Sequence, residues 1–234
     1  MGRVRKNNED NFYCAGEIRM DPDSTEEVFH SGTFTSKDNE TMAVFDGMGG
    51  EACGEVASYL AASTCQQFLK NKAHYNDYLY ELSVMLNDRV VAETKARSVV
   101  LMGSTAAMMQ FNRKEIYILN SGDSRIYKFT NGELTQLSKD QVAKGYKGKS
   151  PLTNFLGVPP EKRDFVPYIA RGDYRNEDIF VMCTDGVTDM IGEENLARLI
   201  SEKTDLMTIT KNIIEMAKEY GGVDNATVIV CKIR

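Results

Sequence analysis

The sequence predicts an α+β fold in which antiparallel sheets lie in the middle and helices pack outside them. Runs of apolar and β-branched residues recur along the chain, and some are joined by short turns such as Thr130-Asn131-Gly132. Such turns favour antiparallel neighbours over crossover units. Four helix-like segments come in two pairs, one in the first half of the chain and one before the last strand. Segregated helix pairs around antiparallel strands are typical of α+β proteins.

The individual elements follow from apolar periodicity and from turn residues. Apolar residues at three- and four-residue spacing predict helices over 51–70, 76–96, 193–201 and 206–220. Short apolar runs between turn signals predict strands over 11–18, 41–45, 104–111, 115–119, 125–129, 133–137, 164–170, 179–183 and 226–233. One irregular segment, 138–158, is rich in lysine and glycine.

Composition excludes several classes of function. The net charge of -6 over 234 residues argues against nucleic acid as a partner. No apolar run approaches the ~18 residues of a membrane span, and no secretory leader is evident, so we expect a cytoplasmic protein without a membrane partner. The five cysteines are scattered without a C-x-x-C pair, and the only histidines are His30 and His74. Chemistry is therefore expected to rest on carboxylates rather than on thiols, zinc or a histidine triad.

Aspartates recur beside the most apolar strands. Asp46 ends the run "MAVFDG", Asp123 lies in "NSGDSR", Asp185 follows "IFVMCT", and Asp224 precedes the last strand. One Asp-Gly pair predicts only a turn. Four carboxylates next to apolar strands would be costly without partners, which indicates a shared cation site. Oxygen ligands suit Mg²⁺ or Mn²⁺, so we hypothesise a binuclear centre that could activate water for attack on phosphorus.

Two other patterns allow competing interpretations. Gly47, Gly49 and Ala52 fit the G-x-G-x-x-A spacing of a dinucleotide-binding turn. That match is weak, because Asp46 would place a negative charge beside the bound phosphates. Arg5 precedes Asn8-Glu9-Asp10 by three residues, and charge spacing alone favours a solvated N-terminus there. Beside a metal cluster, however, such an arginine could bind two phosphate oxygens.

The ordered motifs resemble the metal-dependent protein phosphatases of the protein phosphatase 2C type, in their compact bacterial form. They are R-x-x-N-E-D, V-F-D-G-M-G-G, G-S-T-A, N-S-G-D-S-R, C-T-D-G-V-T-D and G-G-x-D-N-A-T-V. The resemblance covers nearly the whole chain and implies one phosphatase domain over residues 1–234. It also implies a four-layer α-β-β-α sandwich, with two central antiparallel sheets flanked by helix pairs.

The resemblance also implies roles for individual residues. Asp46 resembles the ligand that bridges two core Mg²⁺ or Mn²⁺ ions, and Gly47 one that binds through its carbonyl. The G-S-T-A motif is expected to contribute packing rather than chemistry. The remaining implied roles are carboxylate ligands of the first metal (Asp185, Asp224), holders of metal-bound waters (Glu9, Asp10), a weaker third metal (Asp123 with Asp185), phosphate binding (Arg5) and orientation of a water or phosphate oxygen (Asn225).

Three departures from the family pattern carry expectations of their own. Met48 and Glu51 stand where relatives often place histidine, so the imidazole that could protonate a leaving alkoxide is missing. The flap segment around 138–158 is short, which puts substrate discrimination by a flap in doubt. Relatives also have a strand before the arginine motif, whereas four residues precede Arg5 here, so Arg5 is expected to be held less firmly.

The sequence therefore predicts a serine/threonine protein phosphatase that hydrolyses phosphoserine and phosphothreonine by in-line attack of a metal-bridging water. Its partners would be phosphorylated proteins, including a serine/threonine kinase, and we expect a monomer. A catalytically weak pseudophosphatase that binds phosphoproteins is the alternative. The lysines of the irregular segment, among them Lys144 and Lys149, could form a docking surface for acidic phosphopeptides, although such charges more often mark a solvated loop.

Overall fold

The computed structural model describes residues 2–35, 40–49, 53–70, 78–113, 115–146 and 148–234. Within these ranges the elements follow one another as β1 (Asp10–Cys14), β2 (Thr41–Met48), α1 (Gly54–Lys70), α2 (Leu79–Arg97), β3 (Gly103–Ser104), β4 (Ala106–Phe111), β5 (Glu115–Ser121), β6 (Arg125–Thr130), β7 (Glu133–Gln136), β8 (Tyr168–Asp173), β9 (Ile179–Cys183), α3 (Asp185–Ile200), α4 (Leu206–Glu219) and β10 (Val228–Lys232).

The strands form two sheets in which all of the recorded pairs are antiparallel. The first sheet has the order β1-β2-β4-β5-β8, with the short β3 pairing beside β2. The second has the order β10-β9-β6-β7. Antiparallel pairing excludes the parallel sheet that a dinucleotide-binding turn at Gly47 and Gly49 would need.

Alternate side chains of the central strands belong to different apolar cores. Along β2, Met42 and Val44 point into the core between the sheets, while Ala43 and Phe45 point into the core under α1 and α2. Along β9, Phe180 and Met182 face the other sheet, and the intervening side chains face α3 and α4. Burial on both faces explains why these strands read as continuous apolar runs in the sequence.

The helices complete the outer layers. α1 packs on α2 and on β1 and β2, whereas α3 packs on α4, and α4 covers β10. The predicted four-layer α-β-β-α sandwich is therefore confirmed. Among the described helices, none combines the length and the apolar character needed to cross a membrane.

Several predicted boundaries were wrong. α3 begins at Asp185, eight residues before the predicted start, and Gly192 with φ +69° kinks it where the prediction began. β1 ends at Cys14 because Ala15 and Gly16 turn the chain with positive φ. β2 continues past Asp46 to Met48, and β8 lies over 168–173 instead of 164–170.

Candidate metal centre

Strand pairing and one side-chain contact bring the predicted carboxylates to the same end of the two sheets. Asp10 on β1 lies directly opposite Asp46 on β2. The Thr184 hydroxyl, one residue before Asp185, donates a 2.8 Å hydrogen bond to Asp10 Oδ2 and so connects the first sheet to the second. Thr184 Oγ1 in turn accepts the backbone N–H of Thr227, just before β10. A buried threonine thus joins three strand ends, a link that no sequence motif indicated.

Asp10 is a buried carboxylate with one oxygen left unused. The residue is 2 % exposed, and its Oδ1 accepts no hydrogen bond from the described residues. Burial raises the pKa of Asp10 from 3.8 to about 7, and the charges of Asp185 and Asp224 act in the same direction, while the threonine hydrogen bonds oppose the rise. An orphan oxygen at this depth suits a ligand of opposite charge.

Asp46 is fixed through its backbone. Its N–H donates to Thr105 Oγ1 at 3.0 Å, and its carbonyl accepts the Thr105 N–H at 2.8 Å. Thr105 Oγ1 also lies 2.6 Å from Ser124 Oγ, which ties this position to the turn that carries Asp123. Burial, followed by the charges of Asp10 and Asp185, raises the pKa of Asp46 well above 3.8. The G-S-T-A motif thus contributes positioning rather than a reactive group.

Gly47 lies where no larger residue would fit. A Cβ on Gly47 would overlap the carbonyl oxygens of Gly54 and Glu9. The Gly47 N–H donates to the Glu9 carbonyl at 3.0 Å, so the start of α1 and the residue before β1 close around this strand position. Coordination through the Gly47 carbonyl stays a prediction.

Asp185 and Asp224 share a cation supplied by the chain. Asp185 is 4 % exposed at the N-terminus of α3, and its Oδ1 accepts no hydrogen bond from the described residues. The Lys149 ammonium contacts Asp185 Oδ2 and lies 3.6 Å from Asp224 Oδ2. Burial alone would lower the pKa of Lys149, but Asp185, Asp46 and Asp224 more than offset this, and its pKa is raised. The sequence analysis did not assign Lys149 to this site.

The N-terminal residues enclose the same carboxylates. Arg5 Nη2 donates to Asp224 Oδ2 at 2.9 Å, and its Nη1 lies 3.9 Å from Glu9 Oε2. The Glu9 carboxylate abuts Gly54 at the start of α1. Burial raises the pKa of Glu9, although the charge of Arg5 opposes the rise. The Arg5 side chain is 47 % exposed, which leaves its guanidinium accessible to a phosphate.

The segment around Arg5 is anchored on both sides. Residues 2–9 form no strand, but the Arg3 N–H donates to the Gly222 carbonyl at 2.6 Å. On the other side, Asn225 Oδ1 accepts the Glu9 N–H and Asn225 Nδ2 donates to the Asn7 carbonyl. These contacts hold the Arg5 segment at both ends. They also show that Asn225 positions the backbone of Asn7 and Glu9. Its second amide hydrogen is left for the predicted contact with a water or phosphate oxygen, and the remaining lone pair of Oδ1 is left for a water.

Two further carboxylates lie beside Asp185. Asp123, in the turn between β5 and β6, is half-buried, and burial together with the charge of Asp185 raises its pKa to about 6. Asp189 follows Asp185 by one helical turn of α3, and burial and Asp185 raise its pKa as well. Asp123 was predicted for a third metal. Asp189 was missed, although its spacing of four from Asp185 places both on one face of a helix.

The donor set fits hard divalent cations. Carboxylate oxygens dominate, and orphan oxygens of Asp10 and Asp185 are buried within it. In the described part of the chain, however, no three His, Cys, Asp or Glu side chains are already arranged around one metal position. Chain cations, Arg5 and Lys149, hold the carboxylates instead. Metal binding at this centre would therefore require side chains to move.

Histidine was not expected near the site, because Met48 and Glu51 occupy the positions where relatives often carry it. Met48 is half-buried and pairs with Gly103 across β2 and β3. Glu51 lies outside the described residues, as does His74. His30 packs against the Phe12 ring, with centroids 5.6 Å apart. The described residues thus offer no imidazole among the contacts of the carboxylate cluster.

Comparisons with known families and curated proteins agree on one assignment. Residues 29–224 match the family described as Protein phosphatase 2C. A serine/threonine phosphatase from Listeria monocytogenes is 26% identical, over 98% of this chain and 91% of its own length. The serine/threonine protein phosphatase PstP of Mycobacterium tuberculosis is 25% identical over 99% of this chain. The match spans only 43% of that longer relative.

Solved structures show the same fold. The Mycobacterium tuberculosis phosphatase PstP superposes with a TM-score of 0.79 at 25% identity, covering 100% of this chain and 95% of that one. A catalytic domain of PstP described in complex with two manganese ions gives a TM-score of 0.76 at 24% identity, with 100% and 95% of the chains covered. The fold agreement extends over the full described chain.

Proposed function

Because this chain belongs to the protein phosphatase 2C family, we propose that it hydrolyses phosphoserine and phosphothreonine in proteins with Mg²⁺ or Mn²⁺ at the carboxylate cluster. Relatives in this family are named serine/threonine phosphatases, and their enzyme class matches the class that the motifs predicted. Manganese is described in one relative's catalytic domain. For this chain, we propose two core ions and a weaker third.

The residues that would hold the core ions are those whose oxygens are buried or now contact Arg5 or Lys149. Asp46, Asp185 and Asp224, with the Gly47 carbonyl, would bind directly, while Asp10 and Glu9 would hold coordinated waters. When bound, two divalent ions would supply Lewis acidity and a lowered water pKa for in-line attack on phosphorus. Asp123, beside Asp185, would contribute to the third site.

Arg5 would bind the phosphate of the substrate. Its guanidinium presents five donors in a planar fork, and Asp224 uses Nη2. The exposed half of the side chain leaves donors for two phosphate oxygens in the bidentate geometry that arginine favours. Anchoring of the flanking backbone by Gly222 and Asn225 limits the freedom that Arg5 loses on binding.

A single observation carries this proposal: Asp10 on the first sheet and Asp185, at the start of the helix that follows β9 of the second sheet, are buried next to each other with orphan oxygens. Such an arrangement is unfavourable for the fold alone, because each charge raises the cost of the other. Carboxylates with pKa values raised by burial and by a neighbouring charge cluster at functional sites.

The test is phosphate release from a phosphothreonine peptide with and without Mn²⁺. The wild-type chain should be active only with the metal, and Asp185→Asn should lose more than about 100-fold of the activity. Asp88→Asn is the matched control, since Asp88 is exposed on α2. Folding of each variant is checked by circular dichroism.

The outcome also separates the two interpretations made from the sequence. A pseudophosphatase would bind the phosphopeptide without metal-dependent turnover in any variant, and the phosphatase names of the relatives lend this alternative no support. If Asp185→Asn released phosphate as fast as the wild-type chain, the proposed metal centre would be excluded. We further propose one phosphatase domain with a short flap segment, a monomeric state, and phosphorylated proteins as partners, including a serine/threonine kinase.

A further inference from the structure

The Lys149 ammonium lies within the carboxylate cluster although Lys149 belongs to an irregular surface segment. Its Nζ contacts Asp185 Oδ2, and Asp224 Oδ2 is 3.6 Å away. The lysine side chain is 58% exposed, whereas the side chain of Asp185 is 6% exposed. A cation that solvent can reach therefore neutralises a carboxylate that solvent hardly reaches.

The segment that carries Lys149 is fixed at its base and open near its tip. The Ala143 N–H donates to the Pro151 carbonyl at 2.9 Å and closes the base. Between them, Gly145 and Gly148 have φ values of +86° and +87°, with no neighbouring atoms where a side chain would lie. Glycine has access to several backbone conformations at such positions. The backbone at these two glycines can therefore change conformation while the base contact persists.

Lys149 and a divalent ion would need the same oxygens. Asp185 and Asp224 are the carboxylates proposed for the first metal, and they are the two that the ammonium approaches. Two cations a few ångström apart in a partly buried site repel each other strongly. Mg²⁺ also needs near-ideal octahedral geometry, so a carboxylate oxygen that is oriented toward the ammonium has to reorient before it can serve as a ligand. Occupancy by one cation therefore lowers the affinity of the other.

We propose that Lys149 is an intramolecular competitor of the divalent ions, so that metal loading and release of Lys149 from Asp185 are coupled. This inference rests on the proposed metal centre. The coupling is reciprocal: metal binding disfavours the contact between Lys149 and Asp185 by the same factor by which that contact weakens metal binding. Anything that holds Lys149 away from Asp185 therefore tightens metal binding. A phosphoprotein substrate that draws Lys149 onto its own acidic groups would act in this way.

The experiment measures Mn²⁺ affinity by calorimetry on the full chain after removal of bound metal with a chelator. Lys149→Met, which keeps most of the length of the side chain without its charge, should bind Mn²⁺ about 5- to 30-fold more tightly than wild type. Lys149→Arg keeps the charge and should not tighten binding. Lys144→Met is the matched control, because Lys144 is an exposed lysine on the same segment.

A second measurement follows the lysine itself. Amine-reactive labelling of the wild-type chain, quantified by mass spectrometry, should increase at Lys149 when Mn²⁺ is added, with Lys144 as the internal standard. Equal Mn²⁺ affinity in wild type and Lys149→Met would overturn the competition while leaving the metal centre intact. An equal increase in Mn²⁺ affinity in Lys149→Met and Lys144→Met would attribute the effect to net charge and would also overturn the proposed competition. Failure of every variant to bind Mn²⁺ would overturn the metal centre and this inference together.

Discussion

Asp10→Asn should stabilise the chain when metal is absent and weaken its stabilisation by Mg²⁺. Asp10 is buried, and burial raises its pKa from 3.8 to about 7. Between about pH 4 and pH 7 the folded protein therefore holds a proton that the unfolded chain has released. Because the folded state binds more protons in this window, the free energy of unfolding falls as the pH rises through it. Above pH 7, the ionised carboxylate is a cost that asparagine removes.

The magnitude follows from the pKa and from the hydrogen bonds that replace the charge. A rise of roughly 3 pKa units corresponds to an upper limit of about 4 kcal/mol. The asparagine side chain of the variant can still accept the Thr184 hydroxyl, but its amide group needs a partner that the carboxylate did not, at a cost of about 1–3 kcal/mol. A net gain of at most about 1–3 kcal/mol remains at pH 8, or roughly 2–12 °C in Tm.

Thermal unfolding with a chelator at pH 5 and pH 8, and with saturating Mg²⁺ at pH 8, tests this reasoning. The gain should appear at pH 8 and largely disappear at pH 5, where wild-type Asp10 is protonated. Asp178→Asn is a control of opposite sign: burial alone would raise the pKa of Asp178, but hydrogen bonds from Thr130 and Lys128 lower it. A chelated Asp10→Asn protein that melts below wild type at pH 8, as Asp178→Asn should, would refute our view that desolvation dominates at Asp10.

Three further changes test individual roles at the centre. Arg5→Ala should raise KM about 5- to 30-fold with a smaller effect on kcat, because an accessible guanidinium binds phosphate in ground and transition states alike; an unchanged KM in peptide kinetics would remove Arg5 from the site. Asp123→Asn should lower turnover several-fold and leave the high-affinity phase of a calorimetric metal titration intact, whereas loss of that phase would place Asp123 in the core. Aryl phosphates should be hydrolysed much faster than phosphothreonine peptides at saturation, because Met48 cannot protonate an alkoxide; a flat dependence of kcat on leaving-group pKa would contradict this, and Met48→His should narrow the gap.

Patterns in the sequence predicted those parts of the site that strands position directly. Asp46 ends the buried run 41–45 of β2, and Asp185 comes two residues after the buried strand β9, so an apolar run that ends in a carboxylate is visible without any structure. The layer arrangement could be predicted equally well, since strands buried on both faces need helices on their outer sides. The same signals could not give the start of α3. Its first turns, which include Gly186 and end at Gly192, have weak helix propensity. Gly186 there lies against the Asn225 carbonyl, where a Cβ would not fit, so a tertiary contact and not helix propensity calls for glycine at this position.

The contact of Lys149 with Asp185 could not be predicted from the sequence, for a different reason. Nothing in the spacing of Lys139, Lys144 and Lys149 distinguishes one exposed lysine from another, and a charge run usually indicates a solvated loop. Which ammonium reaches Asp185 depends on the backbone at Gly145 and Gly148, where positive φ redirects the chain. The spacing of the lysines does not encode these backbone conformations, because glycine has access to several of them.

The centre combines fixed negative charges with cations that come from irregular chain. Asp46 and Asp185 sit at strand or helix ends, and Asp10 is held by Thr184. Arg5 and Lys149 come from segments without strand or helix, and about half of each side chain is exposed. Rearranging the cations therefore costs little, whereas moving the backbone that carries Asp10 and Asp46 would require β1 and β2 to separate. A site built this way can exchange an ammonium for a divalent ion, or a carboxylate for a phosphate at Arg5, while the strands and helices that carry the carboxylates stay in place.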